Sequence, residues 1–217
     1  MSAFLFKILA LTAMIIDHVG AVFFPQYVWL RYIGRISMPI YAFLLSEGYQ
    51  HTKNFNLYAL RLTLFAILSE VPYDLLFHNT YLEFGTQNIL FTLLAALIVI
   101  RLLDEAGKRQ NIFLFLLAAA VTYAAEFLGF SYGYYGVLVP VAFYLFRKYK
   151  GFDLLAFAGV TYANYLHDNN RIQLYAIAAC VPLMLYNGKR GKYSWKYFFY
   201  AAYPLHLLIL WLVHYIL

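Results

Sequence analysis

The sequence predicts an all-α fold: a polytopic integral membrane helix bundle of about nine transmembrane helices, forming one domain over residues 1–217. Three observations carry this. The chain is 64% hydrophobic and 12% charged, whereas a soluble domain carries about 25% charged residues, so a soluble surface cannot be covered. Apolar segments follow one another with only tight turns between them, and no linker or low-complexity tract intervenes. Basic residues concentrate in every second turn, as the positive-inside rule requires of a multi-pass chain.

Nine segments follow, at roughly 4–24, 28–50, 55–78, 87–104, 111–128, 132–147, 152–167, 172–187 and 195–216. The first is long enough to cross a bilayer as a helix. The third contains Pro72, where a kink is expected. The sixth to eighth are short for a span. Lys53 follows the second segment, Lys108 and Arg109 the fourth, Arg147, Lys148 and Lys150 the sixth, and Lys189, Arg190, Lys192 and Lys196 the eighth. The alternate turns hold Glu83, Asp168 and one cation, Arg171. This asymmetry places the N-terminus in the cytoplasm and the C-terminus outside, which requires an odd number of spans.

The remaining composition narrows the function classes. A lone cysteine, Cys180, excludes an intrachain disulfide and reads as a structural thiol. The pI of about 9.2 is accounted for by the turn cations, so no nucleic-acid partner is expected. The first segment lacks a small-residue cleavage site, so no cleavable signal peptide is expected. The 22 tyrosines exceed what two interfacial belts need and suggest a polar-lined cavity. No His pair has i,i+4 spacing, so no metal is expected; nor is there a glycine-rich phosphate loop or a Gly-x-Ser-x-Gly elbow. No internal repeat is visible, which counts against inverted-repeat transporters.

Ionisable residues inside apolar spans are costly and are functional candidates by default. Lys7 and His18 share the first segment. Eleven helical steps of about 100° bring them to within about 20° of one face, roughly 16 Å apart along the axis. His18 reads either as a general base or nucleophile, with Asp17 as a partner for its imidazole, or as a histidine satisfying a neighbouring helix. Arg31 and Arg35 lie one turn apart on one face. They either bind an anionic or oxyanionic group or pair with Asp17, Glu70 or Asp74. Glu47, His51, Thr52, Lys53 and Arg61 group on the cytoplasmic side, either as contacts to a phosphorylated ligand or as interfacial charges. Arg61 lies well inside its segment and needs a partner, for which Glu47 is the candidate. Glu70, Asp74, Gln87, Asn88 and Glu126 fall at the outer ends of their segments, as acceptor-pocket or helix-end groups. Tyr203 and His206 flank Pro204 in the last segment, with His206 a second candidate site histidine. His214 reads as interfacial, and His167 and Asp168 as a solvated turn.

These residues carry a resemblance. The runs KILALTAMIIDHVGAVFFP, LRYIGRISMPIYAFLLSEGYQHTKN, YALRLTLFAILSEVPYD, QNILFTLL and KYFFYAAYPLHLLIL are similar to those of the TraX family, in the same order. One tract departs: an acidic residue is expected before the Tyr-Gly of FSYGYYGVL, and this chain has Ser131 there, with Glu126 as the nearby substitute. The family is associated with N-terminal acetylation of pilin. It is also similar to the wider transmembrane acyltransferases, including acyltransferase family 3, in which a basic residue, ten intervening residues and a histidine stand on the first span. Lys7 and His18 match that spacing, with Lys where Arg is common.

The resemblance implies a multi-pass protein of the bacterial inner or plasma membrane, contacting membrane lipids. It implies an enzyme that moves an acetyl or other short acyl group from cytosolic acetyl-CoA, or a related acyl-CoA, to an extracytoplasmic peptide or glycan acceptor. His18 and Asp17 are then catalytic. Lys7, Arg35 and Arg61 bind the donor. Arg31, Glu70, Asp74, Gln87, Asn88, Glu126, Tyr203 and His206 line or support the acceptor pocket. The competing class is a proton-coupled small-molecule transporter using the same buried charges.

Overall fold

In the computed structural model, which describes residues 1–149, 151–193 and 195–216, the chain is helical almost throughout. Lys150, one of the predicted turn cations, lies outside the described residues. Each of the nine predicted segments contains helix, and two of them are broken.

Helix α1 spans Ala3–Val22. The second segment splits into α2 (Trp29–Gly34) and α3 (Ser37–His51). The break has a local cause: Pro39 has no N–H to offer the carbonyl of Arg35, so a continuous helix would leave that bond unmade. Helix α4 (Phe55–His78) runs unbroken through Pro72. Helix α5 (Ile89–Arg109) continues one turn beyond the predicted end at 104. Hydropathy falls there, but the helix is sustained by i,i+4 ion pairs: Arg101–Glu105 at 3.1 Å, Asp104–Lys108 at 2.7 Å and Glu105–Arg109 at 3.1 Å. Helices α6 (Ile112–Phe127), α7 (Gly133–Phe146) and α8 (Phe152–Asp168) follow as predicted. The eighth segment is a chain of short pieces, α9 (Arg171–Leu174), a 3-10 stretch (Tyr175–Ala179) and α10 (Cys180–Met184). Pro182 again removes a donor there, this time for the carbonyl of Ala178. Helix α11 (Lys196–Ile216) closes the chain.

Asparagines mark the helix ends. Asn54, Asn88 and Asn111 accept from the backbone N–H of Leu57, Leu90 and Phe113 at 3.0, 3.0 and 2.9 Å. Asn79 and Asn169 stop α4 and α8 in the left-handed conformation, which asparagine tolerates.

Two apolar cores form around these helices. One joins α4, α5, α6, α7 and α11 through residues such as Ala66, Leu97, Ile100, Val137 and Leu207. The other joins α1, α3, α7, α8 and the broken eighth segment through Phe6, Ile40, Val139, Phe143, Phe157 and Ala179. Helix α7 contributes to both cores. The outward faces remain apolar: Leu64, Ile67, Leu68, Phe113, Leu116, Leu155, Val181 and Ile209 are all exposed. Helices α1 and α11 are each long and apolar enough to cross a membrane.

Candidate active site

Two neighbouring cavities share part of their lining. The first, about 360 Å³, is lined by Asp17, His18, Arg31, Arg35, Tyr73, Ser131 and Tyr132, among others. The second, about 560 Å³, is lined by Lys7, Glu47, His51, Thr52, Arg61, Tyr186, Arg190 and Lys196. Both are bounded by Tyr41, Leu90, Leu93, Phe199 and Tyr203. On α1, Lys7 lines the basic cavity and His18 the histidine cavity.

The partner expected for His18 is not the one it has. Asp17 is held by two arginines: its Oδ2 lies 2.5 Å from Arg35 Nη2 and 3.1 Å from Arg31 Nη1. Adjacent residues on a helix point about 100° apart, so Asp17 faces the α2–α3 break while His18 faces α11. The imidazole instead meets His206, with His18 Nδ1 and His206 Nε2 2.8 Å apart and the ring planes within 13° of each other. His206 Nδ1 lies 2.9 Å from the Ala202 carbonyl oxygen. A carbonyl only accepts, so this nitrogen carries the hydrogen and Nε2 of the neutral ring is the acceptor. His18 therefore donates from Nδ1, which leaves its Nε2 with a free lone pair. Phe77 packs edge-on against the His18 ring at 5.3 Å between centroids and limits its movement.

The break between α2 and α3 positions the arginines. Helix α2 passes so close to α1 that a Cβ on Gly34 would lie 2.2 Å from Asp17 Cβ and Oδ1. Arg35 reaches Asp17 with Nη2 and Gln173 Oε1 with Nη1 at 3.4 Å. It also lies over the Tyr132 ring, 5.7 Å from the centroid. Gln173 Nε2 donates to the Tyr135 hydroxyl at 3.2 Å, and that hydroxyl lies 3.1 Å from Thr161 Oγ1. A buried polar chain thus ties Arg35 to α7, α8 and α9. Of the two expectations for Arg35, a donor contact or an ion pair with a nearby carboxylate, the pairing is present: Arg35 lines the histidine cavity and is bound to Asp17.

Other expected lining residues support the walls rather than face the cavity. Asn88 donates its backbone N–H to Glu70 Oε1 at 2.9 Å, and its side-chain amide bonds the same oxygen. Asp74 accepts from the Glu83 N–H at 2.8 Å and is fully buried. Gln87 joins the 129–131 turn through its own N–H to Gly129 O (2.7 Å) and its carbonyl to Ser131 N (3.0 Å). Glu126 accepts from the Tyr134 N–H at 3.2 Å, at the start of α7, where a carboxylate is favoured by the helix dipole. These five residues order the end of the bundle near His18. Ser131, the departure from the expected acidic position, does face the cavity, with Oγ 3.5 Å from the Tyr73 hydroxyl.

In the basic cavity, Glu47 does not partner Arg61. It accepts from the Tyr186 hydroxyl at 3.0 Å. Arg61 instead lies over the Tyr58 ring at 5.9 Å, and Lys7 Nζ over the Phe199 ring at 5.4 Å. The loop carrying Arg190 is tied to the first turn of α1 by Ala3 N–Lys189 O (2.9 Å) and Phe4 N–Arg190 O (3.2 Å). Lys53 lines a different, polar surface cavity with Arg101 and Arg147. His167 and Asp168 bond each other at 2.5 Å on the surface, as a solvated turn would. Sequence reasoning missed Gln173, Tyr41, Tyr132, Leu90, Leu93 and Phe199 as site residues. Gln173 left a signal, an amide in an apolar segment, and the tyrosines left one in their number. Arg190 and Lys196, turn charges by sequence, line the basic cavity.

Comparison with known proteins agrees on the family. The family model described as TraX protein matches residues 2–214. The chain is similar to a probable fimbrial assembly protein FimC, serogroup H1, of Dichelobacter nodosus, with 29% identity over 239 aligned positions, 96% of this chain and 94% of that protein. It is also similar to an uncharacterized protein, RP591, of Rickettsia prowazekii (strain Madrid E), with 33% identity over 90 positions, 41% of this chain and 32% of that protein. No solved structure matches significantly. Two span-length apolar helices and the fimbrial assembly relative together mark a membrane-associated protein.

Proposed function

We start from the fact that this chain belongs to the TraX family, and we propose that it is a membrane-embedded acyltransferase. It would move an acetyl or other short acyl group from cytosolic acyl-CoA to an extracytoplasmic acceptor, such as a pilin N-terminal amine or a cell-surface glycan hydroxyl. The observation that carries this is that a basic cavity and a histidine cavity share Tyr41, Leu90, Leu93, Phe199 and Tyr203, which in this reading form a throat between them. In this reading the nine helical segments each cross or enter the bilayer, with the N-terminus cytoplasmic and the C-terminus outside. The turn cations support that orientation, and the exposed apolar side chains of α4, α6, α8 and α11 support the multi-pass arrangement.

Each residue then has a task. Acyl-CoA brings several phosphates from the cytosol. Lys7, Arg61, Arg190 and Lys196 are the cations available to meet them. The flexible arm of the donor threads past Leu90 and Leu93 and delivers its thioester beside His18. The acceptor hydroxyl or amine attacks the thioester carbonyl while His18 Nε2 takes its proton. As the tetrahedral centre collapses, the carbon–sulfur bond breaks and the thiolate recovers that proton, giving the acylated acceptor and free coenzyme A. His206 holds the His18 tautomer. Arg35, pinned by Asp17 and Gln173, is a fixed cation for the oxyanion.

Two measurements test the proposal. Coenzyme A is expected to raise the Tm of the purified wild-type protein. His18→Ala, folded and still stabilised by coenzyme A, is expected to lose acyl transfer by about 10²- to 10⁴-fold. Full transfer activity in that variant would remove His18 from the chemistry. Mass spectrometry of surface peptides and glycans, in cells with the wild type or the variant, would identify the acceptor from the acyl mass difference.

A further inference from the structure

The charges of the histidine cavity do not balance. Arg31 and Arg35 bring two positive charges. Among the described residues lining the cavity, Asp17 is the single acidic side chain. The histidine pair adds no negative charge. One guanidinium charge is therefore left over in a partly desolvated chamber, where an uncompensated charge is expensive. The two arginines share Asp17 unequally. Arg35 is nearly buried and uses both Nη atoms, on Asp17 and on Gln173. Arg31 keeps 29% of its side chain exposed. It spends only Nη1, on the Asp17 carboxylate and on the Asp17 backbone carbonyl at 3.0 Å. Its Nε and Nη2 make no hydrogen bond among the described residues. Asp17 Oδ1 cannot serve a ligand, because it abuts the Cα of Gly34. The free donors of Arg31 belong to a side chain that lines the cavity, and Asp17 is the only carboxylate in that lining among the described residues.

We propose that the acceptor carries an acid group, a carboxylate or a phosphate, near the hydroxyl or amine that is acylated, and that Arg31 selects it. The proposal rests on the acyltransferase function proposed above. The acid group supplies the missing counter-charge and forms a charge-assisted fork with Arg31 Nε and Nη2. It thereby turns the neighbouring nucleophile toward His18. A protonated amine with no acid beside it would enter a site of its own sign, and so would be disfavoured.

The test compares two sugars that differ only in the acid group, methyl β-glucuronide and methyl β-glucoside, as acceptors and as thermal ligands. With wild-type protein, kcat/KM for the glucuronide is expected to exceed that for the glucoside by about ten- to a hundredfold, the range for a hydrogen bond to a charged group. In Arg31→Gln the ratio is expected to fall near one, mostly through KM, and Arg31→Lys is expected to restore part of it. Equal kcat/KM for both sugars in the wild type, or an unchanged preference in Arg31→Gln, overturns the proposal. The thermal arm separates the two claims. A Tm rise with glucuronide but not glucoside, lost in Arg31→Gln and kept in Arg61→Gln, upholds the anion site even if coenzyme A neither binds nor reacts. No glucuronide-specific shift in the wild type overturns the anion site even if coenzyme A stabilises the protein.

Discussion

Gly34→Ala is expected to damage the site without replacing any charged residue. The backbone at Gly34 is ordinary helix, so alanine is forbidden only by space. Its Cβ would lie 2.2 Å from Asp17 Cβ and Oδ1 and 2.5 Å from Asp17 Cγ. All three atoms belong to a short side chain rooted in α1, which has no long arm to swing away. Relief requires that α2 draw back or that Asp17 turn out of its pocket, and either movement breaks the 2.5 Å contact with Arg35 and the 3.1 Å contact with Arg31. Stripping a buried guanidinium of its partner costs about 3–5 kcal/mol. At about 2–4 °C per kcal/mol for a chain of this size, the Tm should fall by roughly 6–20 °C. The assay is a thermal melt of purified protein beside two controls. Gly107→Ala, where a Cβ meets nothing within 4 Å, should keep or raise the Tm, because alanine is the better helix former. Asp17→Gly removes the clashing Cβ as well as the charge, so Gly34→Ala should add little on that background. A wild-type melt for Gly34→Ala, or full additivity with Asp17→Gly, would refute the reasoning.

Further outcomes follow from the same geometry. His206→Ala frees the His18 tautomer, and turnover should fall by roughly 10²-fold, while coenzyme A still raises the Tm by the wild-type amount; loss of that thermal response would instead place His206 in donor binding. Lys7→Gln and Arg61→Gln should each weaken coenzyme A by about ten- to a hundredfold. The affinity of the wild type should drop with added salt, and equal salt dependence in the variants would count against phosphate contacts. Leu93→Trp should plug the throat, abolishing transfer while coenzyme A still binds from the basic side; undiminished transfer would mean that the donor takes another route. Gln173→Leu should lower turnover by loosening Arg35, with Gln173→Glu restoring part of it through a new acceptor for the guanidinium.

The sequence by itself determined that the chain is helical and where the helices lie, because those facts follow from local quantities. Apolar run length marks each segment, and fixed helical rotation puts Lys7 and His18 on one face. It also picked out His18, His206, Lys7, Arg31, Arg35 and Arg61, since an ionisable group in an apolar run stands out whatever its neighbours. Tertiary structure alone decided how they pair. Asp17 and His18 are neighbours in the chain yet face different helices, so the carboxylate went to the arginines and the imidazole to His206, 188 residues away. Glu70, Asp74, Gln87, Asn88 and Glu126 looked like pocket groups because they lie at one depth, but depth fixes only the axial coordinate. Their rotation about the helix axes turned them to backbone partners. The wall shared by the two cavities was invisible for the converse reason: Leu90, Leu93 and Phe199 are ordinary apolar residues, and only tertiary packing brings them to border both cavities.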